Sequence, residues 1–392
     1  TIYRASDLKY ETPVIHYFTR EWVKLGYKVK VIHHKVVYPT FFYLMAKLFR
    51  DKIASLTGAI VYTHKEKEDK YYVMDGVEVH RNPIFKWIPQ GKFTKKTLRK
   101  QIEKIIKQND DSGFVPEIII GHFSNPQLEI VAELKDKYSA RTCMIMHDNG
   151  NSIKRIYKNR YVKLISKIDI WGFRSLPIRM GFENNFGEQG SSFYCYSGIP
   201  ENYIAKTSNR NFEGELKNFL YIGELIKRKY PECLVNSINS VYPQKEFKIS
   251  YIGKGAEEVN IRHLTKSLKL ENNVIFEGFI PRDQILNKID ESDCMIMISK
   301  GETFGLVYLE AMARGCITIG SRNEGIDGII LHGVNGFLCE AGNEKELAQI
   351  IRHINQLTPA ERKQISDSAI ATAKDMTDIK VAERYLNNLL SN

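Results

Sequence analysis

The residues best placed to do chemistry lie in one stretch, Asp293–Gly325, which reads DCMIMISKGETFGLVYLEAMARGCITIGSRNEG. An apolar run expected to be a buried strand ends in Ser299–Gly305, a turn with two glycines. A helix is predicted from about Leu306 to Arg314, with Gly315 as its C-terminal stop. The backbone amides of Thr303–Leu306 have no helical carbonyl to pair with, and the helix dipole adds partial positive charge there. Such a turn suits an anion, a diphosphate above all. Glu302 and Glu310, eight residues apart, do not suit a phosphate. They suit sugar hydroxyls, Glu302 those of a hexose and Glu310 those of a nucleotide ribose. Taken singly, Glu302 reads as well as a solvated loop acid or helix cap, and Glu310 as a surface helix residue.

The elements that must position this turn follow a strand–helix alternation. In the second half the apolar runs are short and continuous, as in strands covered on both faces. Strands are expected at Phe219–Ile222, Phe247–Ile252, Val274–Glu277, Cys294–Ser299, Ile317–Gly320 and Gly336–Cys339. The turn after Cys294–Ser299 then lies at the carboxyl end of a strand in an open α/β sheet, where ligands bind. In the first half, strands are expected at Lys28–His33, Glu117–Gly121, Thr142–His147, Asp169–Phe173 and Phe193–Tyr196. Asp75-Gly76 between Tyr71–Met74 and Val77–His80 signals a hairpin. The expected class is α/β, with two doubly wound parallel sheets. Polar residues from Pro200 to Lys217 mark the boundary. They give a first domain over 1–205, a second over 206–375, and a C-terminal helix over 376–392 packing back on the first.

The run Glu302-x-Phe304-Gly305-x4-Glu310-Ala311-Met312-Ala313-x-Gly315 resembles the signature of glycosyltransferase family four, retaining enzymes of GT-B fold with two Rossmann-like domains about a central cleft. The likeness continues in Phe219-Leu-Tyr-Ile-Gly223-x-Leu225-x3-Lys229, which is similar to the first strand and phosphate-binding lysine, and in Gly253-Lys-Gly255. Asn273-Val-Ile-Phe-Glu-Gly278-Phe279 resembles the base-binding strand, and Gly333-x2-Gly336-Phe337-Leu338 the last one. The first half matches faintly: Glu117-Ile-Ile-Ile-Gly-His122 is similar to the strand ending in an active-site histidine, Met144-Ile-Met-His147-Asp148 to the next strand, and Ser197-Gly198-Ile199-Pro200 to an Asn-Gly-Ile turn. The family's first strand and its glycine-rich loop are absent or precede Thr1.

The resemblance implies a transfer of a hexose from a nucleotide-diphosphate sugar, UDP-linked before GDP-linked, to an acceptor hydroxyl in surface-polysaccharide assembly. It implies catalytic roles for His122, Glu302 and Lys229. It implies donor contacts from Gly223, Lys229, Gly278, Phe279, Ile280, Glu302, Thr303, Phe304, Gly305, Leu306 and Glu310. No cofactor and no metal are expected, and no Asp-x-Asp triplet occurs. Three positions depart from the pattern. Glu224 stands where an arginine is frequent, Cys316 replaces a common proline, and Asn323-Glu324-Gly325-Ile326-Asp327 replaces Gly-Gly-x-x-Glu.

Charge divides unevenly. Of the 57 basic and 46 acidic residues, the first 200 positions hold 33 and 20, a net of +13. That half is expected to face an anionic partner: a membrane surface, which would carry a lipid-linked or other saccharide acceptor, an acidic polymer or a nucleic acid, and charge alone does not choose among them. No nucleic-acid motif is present. Lys92–Lys107 carries seven bases and one acid, with Leu98, Ile102, Ile105 and Ile106 on one helical side, and reads as a solvated helix face. Phe41, Leu44, Met45, Leu48 and Phe49 also follow helical spacing, with Lys47, Arg50 and Lys52 nearby. Core packing is the ordinary meaning, a membrane-surface element the other. Six scattered cysteines form no CxxC pair, which disfavours zinc and suits a reducing cytoplasm. No stretch approaches the roughly 18 apolar residues of a spanning helix, and the location expected is cytoplasmic, at most peripheral to the membrane. The alternative is a catalytically silent GT-B subunit that binds a partner or polymer.

Overall fold

The computed structural model describes residues 13–57, 65–89, 91–206 and 210–391; the side chains of residues 50–57 and 283 fall outside that description. The described residues form two compact units. One lies within Thr1–Arg174, Ile178–Cys195 and Val381–Asn392, the other within Ser175–Pro177 and Tyr196–Lys380. The division thus falls after Cys195, whereas the sequence reading drew it after residue 205. Residues between are tied to the second unit: the Ile199 amide donates to the Met376 carbonyl at 3.0 Å and the Ala205 amide to that of Ala313 at 2.9 Å.

The second unit is built on six parallel strands, β8 (Asn218–Ile222), β9 (Lys248–Ile252), β10 (Val274–Gly278), β11 (Cys294–Ile296), β12 (Ile317–Ser321) and β13 (Phe337–Cys339). Their order is β10-β9-β8-β11-β12-β13, parallel throughout. Phe219, Leu220, Ile249, Tyr251, Cys294 and Ile319 are buried to 1% exposure or less, which is why these strands appear in sequence as unbroken apolar runs rather than alternating ones.

The described residues of the first unit hold seven strands in two sheets. β1 (Lys30–Val37), β2 (Lys70–Met74) and β3 (Val77–Phe85) form one in the order β1-β3-β2. β4 (Ile118–His122), β5 (Arg141–Met146), β6 (Ile170–Phe173) and β7 (Ser191–Tyr194) form the other, parallel and in sequence order. The Asp75-Gly76 hairpin joins β2 to β3, with both residues at positive φ. β3 outruns its expected end because β1 pairs with it in parallel from Lys30↔Glu78 to Val37↔Phe85. Pro83 lies past the stretch where β2 pairs, so its missing N–H costs no bond to β2. The outer edges of β1 and β4 flank a cavity of about 680 Å3, lined by Lys30–His34 and Ile118–His122 together with Phe18, Trp22 and Leu386.

The helix Asp378–Leu390 supplies Tyr385, which meets Phe18, Trp22 and Phe193 edge-on or tilted within 5.2 Å. The Trp22 indole donates to the Ala382 carbonyl at 2.9 Å. All six cysteines are buried and unpaired. No described helix is long and apolar enough to cross a membrane.

The helix Thr40–Thr57 overturns the core reading of its apolar stripe. Tyr43 and Ala46 face inward, whereas Phe41, Leu44, Met45, Leu48 and Phe49 are exposed. Helical spacing shows that apolar residues share a face but not which way the face points. The side chains of Arg50 and Lys52 lie outside the described residues. In the helix Lys95–Asp111, by contrast, Leu98 and Ile105 are buried, Lys95, Lys96, Lys100 and Lys107 are exposed and Lys104 is half-buried, as expected of a solvated outer face.

Candidate functional site

Chain order in the second sheet runs outward from β8 to β9 and β10, then returns to the other side of β8 to begin β11. The loops after β8 and β11 therefore part in opposite directions, and the crevice between their carboxyl ends is the switch point at which open α/β sheets bind ligands. The β8 loop carries Gly223, Glu224 and Lys229; the β11 turn carries Ser299–Gly305. They are clamped together, since the Lys300 amide donates to the Arg228 carbonyl at 2.8 Å and the Arg228 guanidinium to the Lys300 carbonyl at 3.2 Å.

The clamp brings Lys229 and Glu302 to one place. Lys229 Nζ stands 3.3 Å from Glu302 Oε2, both side chains largely buried. Ser299 Oγ donates toward the same oxygen at 3.4 Å, and the Glu302 amide donates to Glu324 Oε2 at 2.9 Å. The helix Leu306–Ala313 begins immediately after, one residue short of the expected Arg314 end. Gly305 precedes it at φ +83° with no side-chain cap. A Cβ at Gly305 would stand 2.5 Å from the Tyr308 ring, so the turn needs glycine for space as well as for backbone angle. Phe304 is buried beside Tyr196, and Thr303 and Leu306 are half-buried. First-turn amides, a dipole and an ammonium group thus converge where a diphosphate could lie.

The other matched segments join this place. The Gly223 amide donates to the Ile252 carbonyl at 2.9 Å, the Leu225 amide to Lys254 at 3.1 Å, and the Gly253 amide to Gly278 at 2.7 Å. The loops after β8, β9 and β10 are thereby one hydrogen-bonded rim. Phe279 is exposed on it and Ile280 half-buried. Glu224 is exposed; its carbonyl, rather than its carboxylate, accepts from the Tyr221 hydroxyl at 3.1 Å.

Glu310 is buried, and its Oε1 accepts from Arg282 at 2.5 Å (Nη2) and 3.2 Å (Nε). Sequence reasoning missed Arg282, because a partner 28 residues away on another helix leaves no periodic trace. It also gave Glu324 no contact, although the departure at Asn323-Glu324 marked that position as unusual. Among the described residues no three His, Cys, Asp or Glu side chains gather where they could hold a metal ion.

His122 belongs to the first unit, at the end of β4. Its Nδ1 lies 3.2 Å from His147 Nε2, and its Nε2 is 3.4 Å from the Tyr385 hydroxyl. His147 stacks on Phe123 with centroids 3.8 Å apart. Burial, with the Arg174 charge adding to it, lowers the His122 pKa to about 3 and takes that of His147 well below the usual value. Both rings are neutral at physiological pH, and both His122 nitrogens already have partners within the unit. Tyr385, 263 residues away in sequence, had no signal that could have revealed it.

Comparison with known proteins follows the same lines. Residues 205–371 match the family model described as glycosyl transferases group 1. The chain is 36% identical over 132 residues to N-acetyl-alpha-D-glucosaminyl L-malate synthase of Bacillus anthracis, covering 34% of each protein. It is 31% identical over 116 residues to the amylovoran biosynthesis glycosyltransferase AmsK of Erwinia amylovora, covering 28% of each. The matches thus span about a third of these curated relatives' length. The crystal structure of Anabaena HepE in complex with UDP superposes with a TM-score of 0.65 at 18% identity, covering 93% of this chain and all of that one. That likeness shows the fold, which is GT-B. Over residues 205–371 the chain is thus similar to the glycosyl transferases of group 1.

Proposed function

We propose that the chain transfers a hexose, with retention of configuration, from a nucleotide-diphosphate sugar to an acceptor hydroxyl in cell-surface polysaccharide synthesis. The observation that carries this reading is the approach of Lys229 Nζ to Glu302 Oε2, 3.3 Å, at the switch point beside the start of the helix Leu306–Ala313. UDP is favoured as the nucleotide because HepE, of the same fold, is described in complex with UDP. AmsK, named for amylovoran biosynthesis, supports a polysaccharide setting, and a saccharide acceptor fits that setting.

The residues divide the work as follows. The leaving diphosphate gains negative charge as the glycosidic bond breaks, and Lys229 with the Thr303–Leu306 amides stabilises that charge. Glu302 cannot stay beside Lys229 once a diphosphate arrives, since two anions would meet. Its carboxylate turns to the hydroxyls of the hexose and holds the sugar over the bond to be broken. Glu310 receives the ribose through the oxygen that Arg282 leaves open. His122, held neutral, is not a base; to orient a bound sugar it exchanges its 3.4 Å contact with the Tyr385 hydroxyl for a sugar hydroxyl. Retention follows from the family resemblance.

Lys229→Ala and Glu302→Ala are each expected to lower kcat/KM by about 10²–10³, the cost of losing one preorganised charge or contact at the transition state. Turnover is expected to survive EDTA, because Lys229 and the amides supply the positive charge. Full activity in both variants would refute the site. Absence of any calorimetric heat with UDP- or GDP-sugars would favour the silent-subunit reading instead.

A further inference from the structure

Helices of soluble proteins bury their apolar face. The helix Thr40–Thr57 buries one and exposes another. Tyr43 and Ala46 are packed inward, while on the opposite side Phe41 and Leu44 are each 59% exposed and Leu48 is 73% exposed, with Met45 between them. The spacing i, i+3, i+4, i+7 makes these four a continuous stripe two turns long. The regular helix breaks at Phe49, whose φ and ψ are −130° and 30°. A second exposed apolar group leaves the same end of the sheet. β1 and β3 are parallel and finish together at Val37 and Phe85, so the chain into this helix and the chain carrying Trp87 (62% exposed) and Ile88 emerge side by side. Phe93, buried with Ile84 and Leu98, then anchors a run of exposed cations: Lys92, Lys95, Lys96 and Lys100.

We propose that the first unit docks on an anionic lipid bilayer through Phe41, Leu44, Met45 and Leu48, with Trp87 and Ile88 beside them and the lysines contacting headgroups. Three considerations favour this occupant. The stripe is apolar and aromatic, the composition of segments that settle at the headgroup boundary. Its flank, with Lys47, is basic, and residues 1–200 carry a net charge of +13, which complements an anionic leaflet. A second copy of this chain would bring the same lysines face to face, which opposes a symmetric pair. The proposal stands on the first unit alone and does not rest on the donor site.

Vesicle cosedimentation of the full chain tests it. At about 0.1 M salt the protein should partition onto phosphatidylcholine vesicles containing phosphatidylglycerol at least tenfold more strongly than onto phosphatidylcholine alone. Leu44→Ser with Leu48→Ser should weaken that binding tenfold or more. Lys95→Gln with Lys96→Gln should weaken it about fivefold per lysine and flatten its salt dependence. Trp87 gives an independent signal, because Trp22 and Trp171 are buried. Its fluorescence should shift to the blue on adding anionic vesicles, and Trp87→Phe should abolish the shift. No binding to anionic vesicles, or equal binding by the leucine variant with its melting temperature unchanged, would overturn the proposal. So would a concentration-dependent dimer, seen in sedimentation velocity, that the leucine variant dissolves. Loss of UDP-sugar turnover with vesicle binding intact would count against the donor site and leave the docking surface standing.

Discussion

Glu310 illustrates how much a single neighbour decides. A carboxylate buried to 5% exposure needs a partner, and Arg282 pairs it through one oxygen. The guanidinium therefore sets the aim of the group assigned to the donor ribose. Arg282→Ala leaves the carboxylate buried without its partner and is expected to cost about 3 kcal/mol, the lower end for breaking a buried pair because Arg282 itself is partly exposed. It should also raise KM for the donor more than it lowers kcat. Glu310→Gln, which removes the charge and keeps the shape, should cost less stability and raise KM similarly. Urea unfolding with donor kinetics on both variants and their double mutant measures the coupling; additive effects would mean that Arg282 does not orient Glu310.

Among the elements, the loops after β8, β9 and β10 act as one rim because glycine lets their backbones touch. Gly253 has φ +133°, and a Cβ there would stand 2.0 Å from the Gly223 carbonyl oxygen. Gly253→Ala must therefore push the β8 loop away or abandon its backbone angle, at about 1–3 kcal/mol. Nucleotide binding should fall more than the melting temperature does, since the displaced loop carries Lys229; calorimetric titration with UDP beside a thermal melt separates the two. The same contacts explain what was legible in the sequence. The strands of the second unit were visible because parallel strands buried on both faces spell continuous apolar runs, and the Glu302 turn because glycine spacing is local. The ends of β1 and β3 were not, for they are set by mutual pairing over eight residues. Arg282, Glu324 and Tyr385 act across the fold and leave no periodic mark. The stripe at Phe41–Leu48 was visible as a stripe, yet its direction is a property of packing alone.

Taken whole, the first unit holds a set of histidines that ties its stability to pH. Burial lowers the pKa of His33 to about 3, of His34 to about 4 and of His122 to about 3, and takes that of His147 well below 6.5. In the unfolded chain each titrates near 6.5, so between pH 6.5 and about 4 the unfolded state binds protons that the folded state refuses. A depressed histidine pKa means stability is fully present above 6.5 and is lost as pH falls, by up to about 1.4 kcal/mol per pH unit for each histidine. Carboxylates of the unfolded chain titrate at about 4, so the range from pH 6.5 to 5 reports chiefly the histidines. The urea midpoint of the first unit, followed by the fluorescence of buried Trp22 and Trp171 in a Trp87→Phe background, should drop steadily across that range. His122→Asn and His147→Asn should each reduce the slope while keeping a neutral hydrogen-bonding group in place. A midpoint constant from pH 7 to 5, or slopes unchanged in both variants, would show that these rings are not held neutral by the fold.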